Sequence, residues 1–295
     1  MYKLMLKSKI SIGTANFEKG YGISNSPGFS EKKISQLIKF IKKNKIYSID
    51  TAISYRSVEK KLGKTNLKKL KLYTKIPKLP KECKNLEKWL NKIINKSLID
   101  LNIKSFEGIF IHNINDLLNQ KYNYELYNYL TSLKHKGIVK KIGVSIYDFG
   151  DFFRVLENFK FDIVQLPFNI LDRRLLLNNN IKKIKKKKME IHVRSVFLQG
   201  LLLQDYTDIP NYFKNQKNIF KIWEQWCLKN DLTKIQTCLN FVTSFRNIDK
   251  IIIGINSISH LEEISNCLIK KKLKYPNQIY SNNLNLIDPR KWRIT

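Results

Sequence analysis

The feature that most constrains this chain is an alternation. A short apolar, β-branched run is followed by a longer stretch with helical spacing, and the pair recurs along the whole sequence. The runs are 9–14 (KISIGT), 46–51 (IYSIDT), 71–76 (KLYTKI), 107–112 (EGIFIH), 140–145 (KKIGVS), 162–167 (DIVQLP), 190–195 (EIHVRS) and 250–255 (KIIIGI). Residues 31–43 carry Ile34, Leu37, Ile38 and Ile41 on one stripe, and 86–99 carry Leu86, Leu90, Ile93, Ile94 and Leu98. Helical spacing recurs at 124–135, 151–159, 173–188, 233–245 and 260–270, and a shorter helix starts near Val58 and Leu62. Eight strand-then-helix units in 295 residues predict a single-domain α/β protein of the (β/α)8 TIM-barrel class spanning residues 1–295. An open dinucleotide-binding sheet should show GxGxxG after its first strand, and "SIGTANFEKGYG" lacks that spacing. There is no Walker-type GxxxxGK[ST], and no Pro-, Gly- or Ser-rich linker divides the chain.

Charge raises a competing reading. Lys+Arg 55 against Asp+Glu 24 gives a formal charge of +31, which invites nucleic acid. The lysines are spread along the chain among many Asn and Ile, all with A/T-rich codons, and no recognition motif accompanies them. No specific nucleic-acid partner is expected. The densest run, "IKKIKKKKME" at 181–190, reads as the wet face of a helix whose Ile181 and Ile184 point inward. No stretch approaches the ~20 apolar residues of a membrane helix, no signal peptide is read, and the four scattered cysteines lack a CxxC pair. A cytoplasmic protein without a membrane partner is expected.

Barrel geometry sends the C-terminal ends of all strands to one cleft. Read in order, those ends carry Asp50 with Tyr55 in its loop, then Lys75, His112, Ser145, Gln165, Arg194 and Ser195. Singly, each has an ordinary structural reading: a turn-capping aspartate, a surface tyrosine, a solvated lysine, a half-buried histidine. Jointly they suit protonation of a carbonyl oxygen. An ammonium favours phenolate and so lowers a phenol's pKa, an aspartate holds that ammonium, and an imidazole orients the carbonyl. Phe17, Tyr21, Phe213 and Trp226 are candidates for the pocket lining, and loops 18–30, 114–121 and 203–219 for substrate choice.

These motifs resemble the aldo-keto reductase family. "IDTAISYRSVEKKLG" is similar to its Asp–Tyr–Glu–Leu-Gly pattern, "YTKIP" to its lysine strand and "GIFIHN" to its histidine strand. "KGIVKKIGVSIYD" and "DIVQLPFNILDRR" resemble its fifth and sixth strands. "VRSVFLQGLLL" resembles strand 7 of a bacterial branch often found near surface-carbohydrate genes, and "IIIGINSISHLEEI" the loop that takes the cofactor phosphates. The resemblance runs from about residue 9 to "IDPRKW" and implies NAD(P)H-dependent, metal-free reduction of an aldehyde, ketone or sugar carbonyl, or the reverse oxidation. It makes Tyr55 the proton donor, tuned by Asp50 and Lys75, with His112 orienting the substrate. It assigns Gly13, Thr14, Ser145, Gln165, Ser195, Phe197, Leu198, Gly200, Gly254, Asn256, Ser257, His260 and Glu263 to the cofactor, with NADP(H) ahead of NAD(H).

The departures are Arg56 in place of the usual Gly, Ile146 in place of Asn after Ser145, His260 in place of an Arg that grips the 2′-phosphate, and Ile264 in place of an adenine-contacting Asn. An imidazole that charges as pH falls implies an NADPH preference that grows in acid. The alternative reading is a cofactor-binding sensor barrel without turnover, against which stands the retention of all four mouth residues.

Overall fold

The computed structural model describes residues 2–23, 27–55, 57–268 and 273–293. Eight parallel strands close into a barrel in sequence order: β1 (Ile10–Gly13), β2 (Ser48–Asp50), β3 (Lys71–Ile76), β4 (Gly108–Ile111), β5 (Ile142–Ser145), β6 (Ile163–Pro167), β7 (Glu190–Arg194) and β8 (Lys250–Gly254). Each lies inside its expected run. β1 and β8 close the ring through Ile10 to Gly13 paired with Ile251 to Gly254. The helices are α1 (Tyr2–Lys9), α2 (Glu31–Lys43), α3 (Val58–Gly63), α4 (Leu86–Leu101), α5 (Asn115–Leu118), α6 (Asn123–His135), α7 (Phe149–Asn158), α8 (Asn180–Lys186), α9 (Lys217–Lys229), α10 (Lys234–Thr243), α11 (Ile258–Asn266) and α12 (Leu284–Ile287). None of the described helices is long and apolar enough to cross a membrane.

The outer helices follow from patterning and caps. Ser30 Oγ accepts from the Lys33 N–H at the start of α2, whose four stripe residues are all buried against the barrel. Each such side chain contributes about 1.5–3 kcal/mol by leaving water. The opposite face carries Lys32, Lys33 and Lys39, all exposed, and α8 exposes Lys182, Lys183 and Lys186 while burying Ile184. In α10, Thr233 and Gln236 cap reciprocally.

Inside the barrel, Tyr73, Phe110 and Ile163 form a cluster of their own, and the His192 ring meets Tyr73 edge-on at 5.3 Å. Gly143 makes room for it: a Cβ there would lie 2.5 Å from Phe110 Cδ1. This layer plugs the barrel, so polar side chains above it can converge only at the C-terminal mouth.

Two expectations change. The stretch 173–188 is not one helix. A 3₁₀ turn at Arg174–Asn179 ends in left-handed Asn178 (φ 49°) and Asn179 (φ 57°), and α8 starts afterwards. Asparagine tolerates that region better than other non-glycine residues. Part of the expected loop 203–219 leads into α9, which the periodicity reading omitted.

Behind β3, Thr74 Oγ1 and Ser97 Oγ donate to the two oxygens of buried Glu59 at 2.7 and 2.6 Å. This ties α3 to both the barrel and α4. Gly63 completes the contact, since a Cβ there would overlap the Asp100 carbonyl oxygen. Gly63→Ala is therefore expected to cost about 1–3 kcal/mol, read as a fall in the urea midpoint. An unchanged midpoint would mean that α3 and α4 do not need this close approach.

Candidate active site

The mouth is assembled by strand register. Asp50 pairs with Tyr73, two residues below Lys75, so the Asp50 and Lys75 side chains both rise on the inner side of adjacent strands. Lys75 Nζ makes a short ion pair with Asp50 Oδ1 and donates to the Thr51 carbonyl at 2.8 Å. Gln165 Nε2 donates to Asp50 Oδ2 at 2.8 Å. Asp50 thus has both oxygens engaged, and Lys75 is buried within 5.9 Å of the Tyr55 ring centroid. The Tyr55 loop is pinned to the barrel. Thr51 N–H donates to Tyr73 O and Ile53 N–H to Lys75 O, and Val58 N–H closes the turn on Tyr55 O at 2.8 Å. His112 follows β4, its N–H on Ile76 O at 3.3 Å. Arg56 lies outside the described residues.

Electrostatics refine the expected chemistry. Burial, with Tyr21 and Asp50 adding to it, raises the Tyr55 phenol above its ordinary value. Burial outweighs the anticipated lowering by Lys75, whose ammonium is paired with Asp50. Tyr55 therefore holds its proton at rest. Burial, aided by Lys75 and Arg194, pushes His112 down to about 3, so its imidazole is neutral at physiological pH. Burial also lowers Lys75, countered by Asp50.

These residues open on a cavity of about 360 Å³. Asp50, Tyr55, Lys75 and His112 all line it, as do Gly13, Thr14, Gln165, Ser195, Phe197, Gly200, Gly254, Asn256 and His260. Four of the expected cofactor residues do not. Ser145 and Leu198 are buried beside it, Ser257 caps α11 by accepting from the His260 N–H at 3.0 Å, and Glu263 faces a separate hollow. Among the aromatic candidates only Tyr21 lines the cavity. Phe17 stacks on Phe29 at 4.4 Å, Phe213 is fully buried, and Trp226 packs on Tyr275. Asn16, Tyr147, Arg194 and Gln199 are further polar residues of the wall. The sequence reading placed Arg194 at the mouth without a role and did not single out the other three.

The loop after β7 is held in an unusual backbone. Ser195, Leu198, Gln199 and Gly200 all have positive φ, between 46° and 93°. Left-handed non-glycine residues are costly, and they gather where a wall must be shaped for a ligand.

With that geometry in place, comparison with known proteins decides the family. The profile of the Aldo/keto reductase family matches residues 9–279. This chain belongs to that family. Its members are oxidoreductases that act on carbonyl compounds with nicotinamide cofactors. Among curated proteins no sequence match is found. Solved structures agree on the fold. The holo form of the aldo-keto reductase AKR11C1 from Bacillus halodurans superposes with a TM-score of 0.71 at 16% identity, covering 90% of this chain and 88% of that one. Glycerol dehydrogenase AKR11B4 from Gluconobacter oxydans gives 0.67 at 16%, with the same coverage.

The cavity of this aldo/keto reductase suits a nicotinamide dinucleotide. Two of its lining residues carry buried polar atoms without a partner, Gln165 Oε1 and His260 Nε2. One is an acceptor beside the Asp50–Lys75 pair and the other lies near the start of α11. Gly254 leaves the wall flush, since a Cβ there would lie 2.5 Å from Asn16 Oδ1.

Proposed function

We propose that this protein reduces an aldehyde, ketone or sugar carbonyl to the alcohol with NADPH, and runs the reverse oxidation when concentrations demand it. The observation that carries this reading is the buried Gln165–Asp50–Lys75 network beneath Tyr55, with neutral His112 on the same cavity. A reduced nicotinamide cofactor, when bound, supplies the hydride for the carbonyl carbon and leaves oxidised. Gln165 would hold its carboxamide, and Gly13, Thr14, Ser195, Phe197, Gly254, Asn256 and His260 would follow the remainder.

This chain's own residues manage the proton. Neutral His112 donates an N–H to the carbonyl oxygen and fixes its angle. As negative charge grows on that oxygen, it becomes a far stronger base than a phenolate, and Tyr55 gives up the proton that burial had kept on it. The resulting phenolate sits beside the Lys75 ammonium, whose position Asp50 fixes. Charge thus moves among preorganised groups without rearrangement. The whole chain is read as one catalytic barrel acting in the cytoplasm on a small molecule.

Testing starts with a fluorescence titration of NADPH, followed by a panel of aldehydes, ketones, aldoses and nucleotide sugars scored by NADPH consumption. Binding without turnover across the panel would favour a sensor barrel.

The burial of His260 also bears on the pH dependence of cofactor choice. Burial lowers His260, which keeps its imidazole neutral above its ordinary value near ~6.5. Preference for NADPH over NADH is thus expected to be modest and flat from about pH 6.5 to 8.5, as a neutral ring cannot favour a 2′-phosphate by charge. Competition titrations with both cofactors at several pH values check this. A preference rising steeply through that range as pH falls would assign the 2′-phosphate to a charged His260.

A further inference from the structure

Resting on the carbonyl-reductase reading, we infer that the substrate carries an anionic group, a carboxylate or a phosphate monoester, and that Arg194 is the residue that binds it. Among the described residues, the cavity lining contains three charged side chains: Asp50, Lys75 and Arg194. The first two cancel in a buried pair. Arg194 is the unmatched charge.

Its lack of a counter-ion stands out against its neighbours. Arg174 clasps buried Asp172 through Nε and Nη2 at 2.9 and 2.7 Å and donates to Tyr147 O. Arg290 clasps buried Asp288 in the same way, at 2.9 and 2.6 Å. Arg194, at the end of β7, has no carboxylate partner among the described residues. One of its nitrogens, Nη2, donates to Ile146 O at 3.1 Å. Its guanidinium lies 4.0 Å from the Tyr147 ring centroid, and Arg290 lies 3.5 Å from the same centroid. Tyr147 is therefore braced by a guanidinium that Asp288 has already fixed, and it offers Arg194 a firm surface to stack on.

A stacked, preoriented guanidinium with donors to spare, half-buried in a cavity wall, is built for bidentate recognition of carboxylate or phosphate. Its place at the chemical end of the cavity is set by its neighbours. It lines the cavity together with Tyr55, Lys75 and His112, and both Tyr55 and His112 feel its charge. The phenols of Tyr21 and Tyr147 line the same region and add hydroxyl donors and acceptors for a polar substrate.

The test compares acid and neutral partners of one carbonyl: 4-oxobutanoate against its methyl ester for the carboxylate arm, and glyceraldehyde 3-phosphate against glyceraldehyde for the phosphate arm. Wild-type protein should prefer the anion in at least one arm, and the preferred arm names the group. In Arg194→Leu the ratio of kcat/KM for anion over neutral partner should fall about 10- to 100-fold, the range of a charge-assisted pair. Arg194→Lys should recover part of it, because it keeps the charge but loses the fork. NADPH affinity in both variants should move far less than this ratio. A ratio unchanged in both variants overturns the proposal. So does a loss of NADPH affinity without a change in the ratio, which would give the guanidinium to the cofactor's phosphates.

A second measurement separates this inference from the carbonyl-reductase reading. Succinate and glycerol 3-phosphate contain no carbonyl to reduce. One of them should raise the melting temperature of the wild type and not that of Arg194→Leu. That result alongside a panel without turnover would sink the reductase reading and leave the anion site standing. Equal response of wild type and variant to both probes would sink the anion site.

Discussion

Tyr55→Phe is expected to lower kcat by about 10²- to 10⁴-fold, the usual worth of a positioned general acid. The change removes one oxygen and leaves the ring to pack, so the loop from Thr51 to Val58 should keep its backbone bonds to β3. Because the phenol acts as charge develops, the loss should appear in kcat and kcat/KM together, with NADPH affinity nearly intact. Steady-state rates and a fluorescence titration on the same preparation read both quantities. Turnover near that of the wild type would remove Tyr55 from the mechanism. The raised phenol pKa sharpens the reasoning. A tyrosine that ionised at neutral pH would have no proton to give, whereas this one keeps its proton until the substrate oxygen takes it.

The barrel was legible because its signal is periodic and local. Strand β8 (Lys250–Gly254) carries an unbroken buried apolar run, Ile251 to Ile253, and β6 (Ile163–Pro167) is buried throughout with Gln165 as its one polar side chain. The helices that failed are those whose cues depend on context. α9 contains Phe220, Trp223 and Cys227 at helical spacing, but it follows two short 3₁₀ turns at 206–208 and 211–216 that obscure its start. Phe213 and Trp226 were therefore weighed as pocket residues when both pack within the protein. α1 is short, and the burial of Leu6 is tertiary information that its own sequence does not carry.

The convergence of the candidate quartet on one cavity was legible for a different reason. Asp50, Tyr55, Lys75 and His112 sit at, or just past, the ends of three successive strands, and the parallel direction of the strands in a closed barrel brings such ends together. What stayed hidden depends on distances between far-separated segments. Asn16 reaches Asn256 across 240 positions, with Nδ2 donating to Oδ1 at 2.7 Å, and Gln165 reaches Asp50 across 115. The net direction of the Tyr55 pKa was not legible because a sequence shows that an ammonium is near but not how deeply the phenol is buried.

The pairing of Lys75 with Asp50 leads to the other large expected effect. Lys75→Met removes the cation and leaves the Asp50 carboxylate buried with Gln165 as its remaining side-chain donor. Losing one partner of a buried pair costs about 3–5 kcal/mol, because the surviving charge has neither water nor counter-ion. The variant should therefore melt well below the wild type and turn over poorly. Those two losses have different origins, and a second substitution separates them. In Lys75→Met combined with Asp50→Asn, neither charge of the pair remains, and the Asn carbonyl can still accept from Gln165 Nε2. Most of the stability should return, since neutral replacement of a buried pair is often harmless. Activity should not return, because the phenolate formed at Tyr55 would lack the ammonium beside it. Denaturant midpoints and kcat measured across the four proteins of this cycle give the answer. Recovery of both would reduce Lys75 to a structural counter-ion. Recovery of stability alone would make it part of the proton-donating group, with Asp50 serving chiefly to keep a lysine charged where burial would otherwise neutralise it.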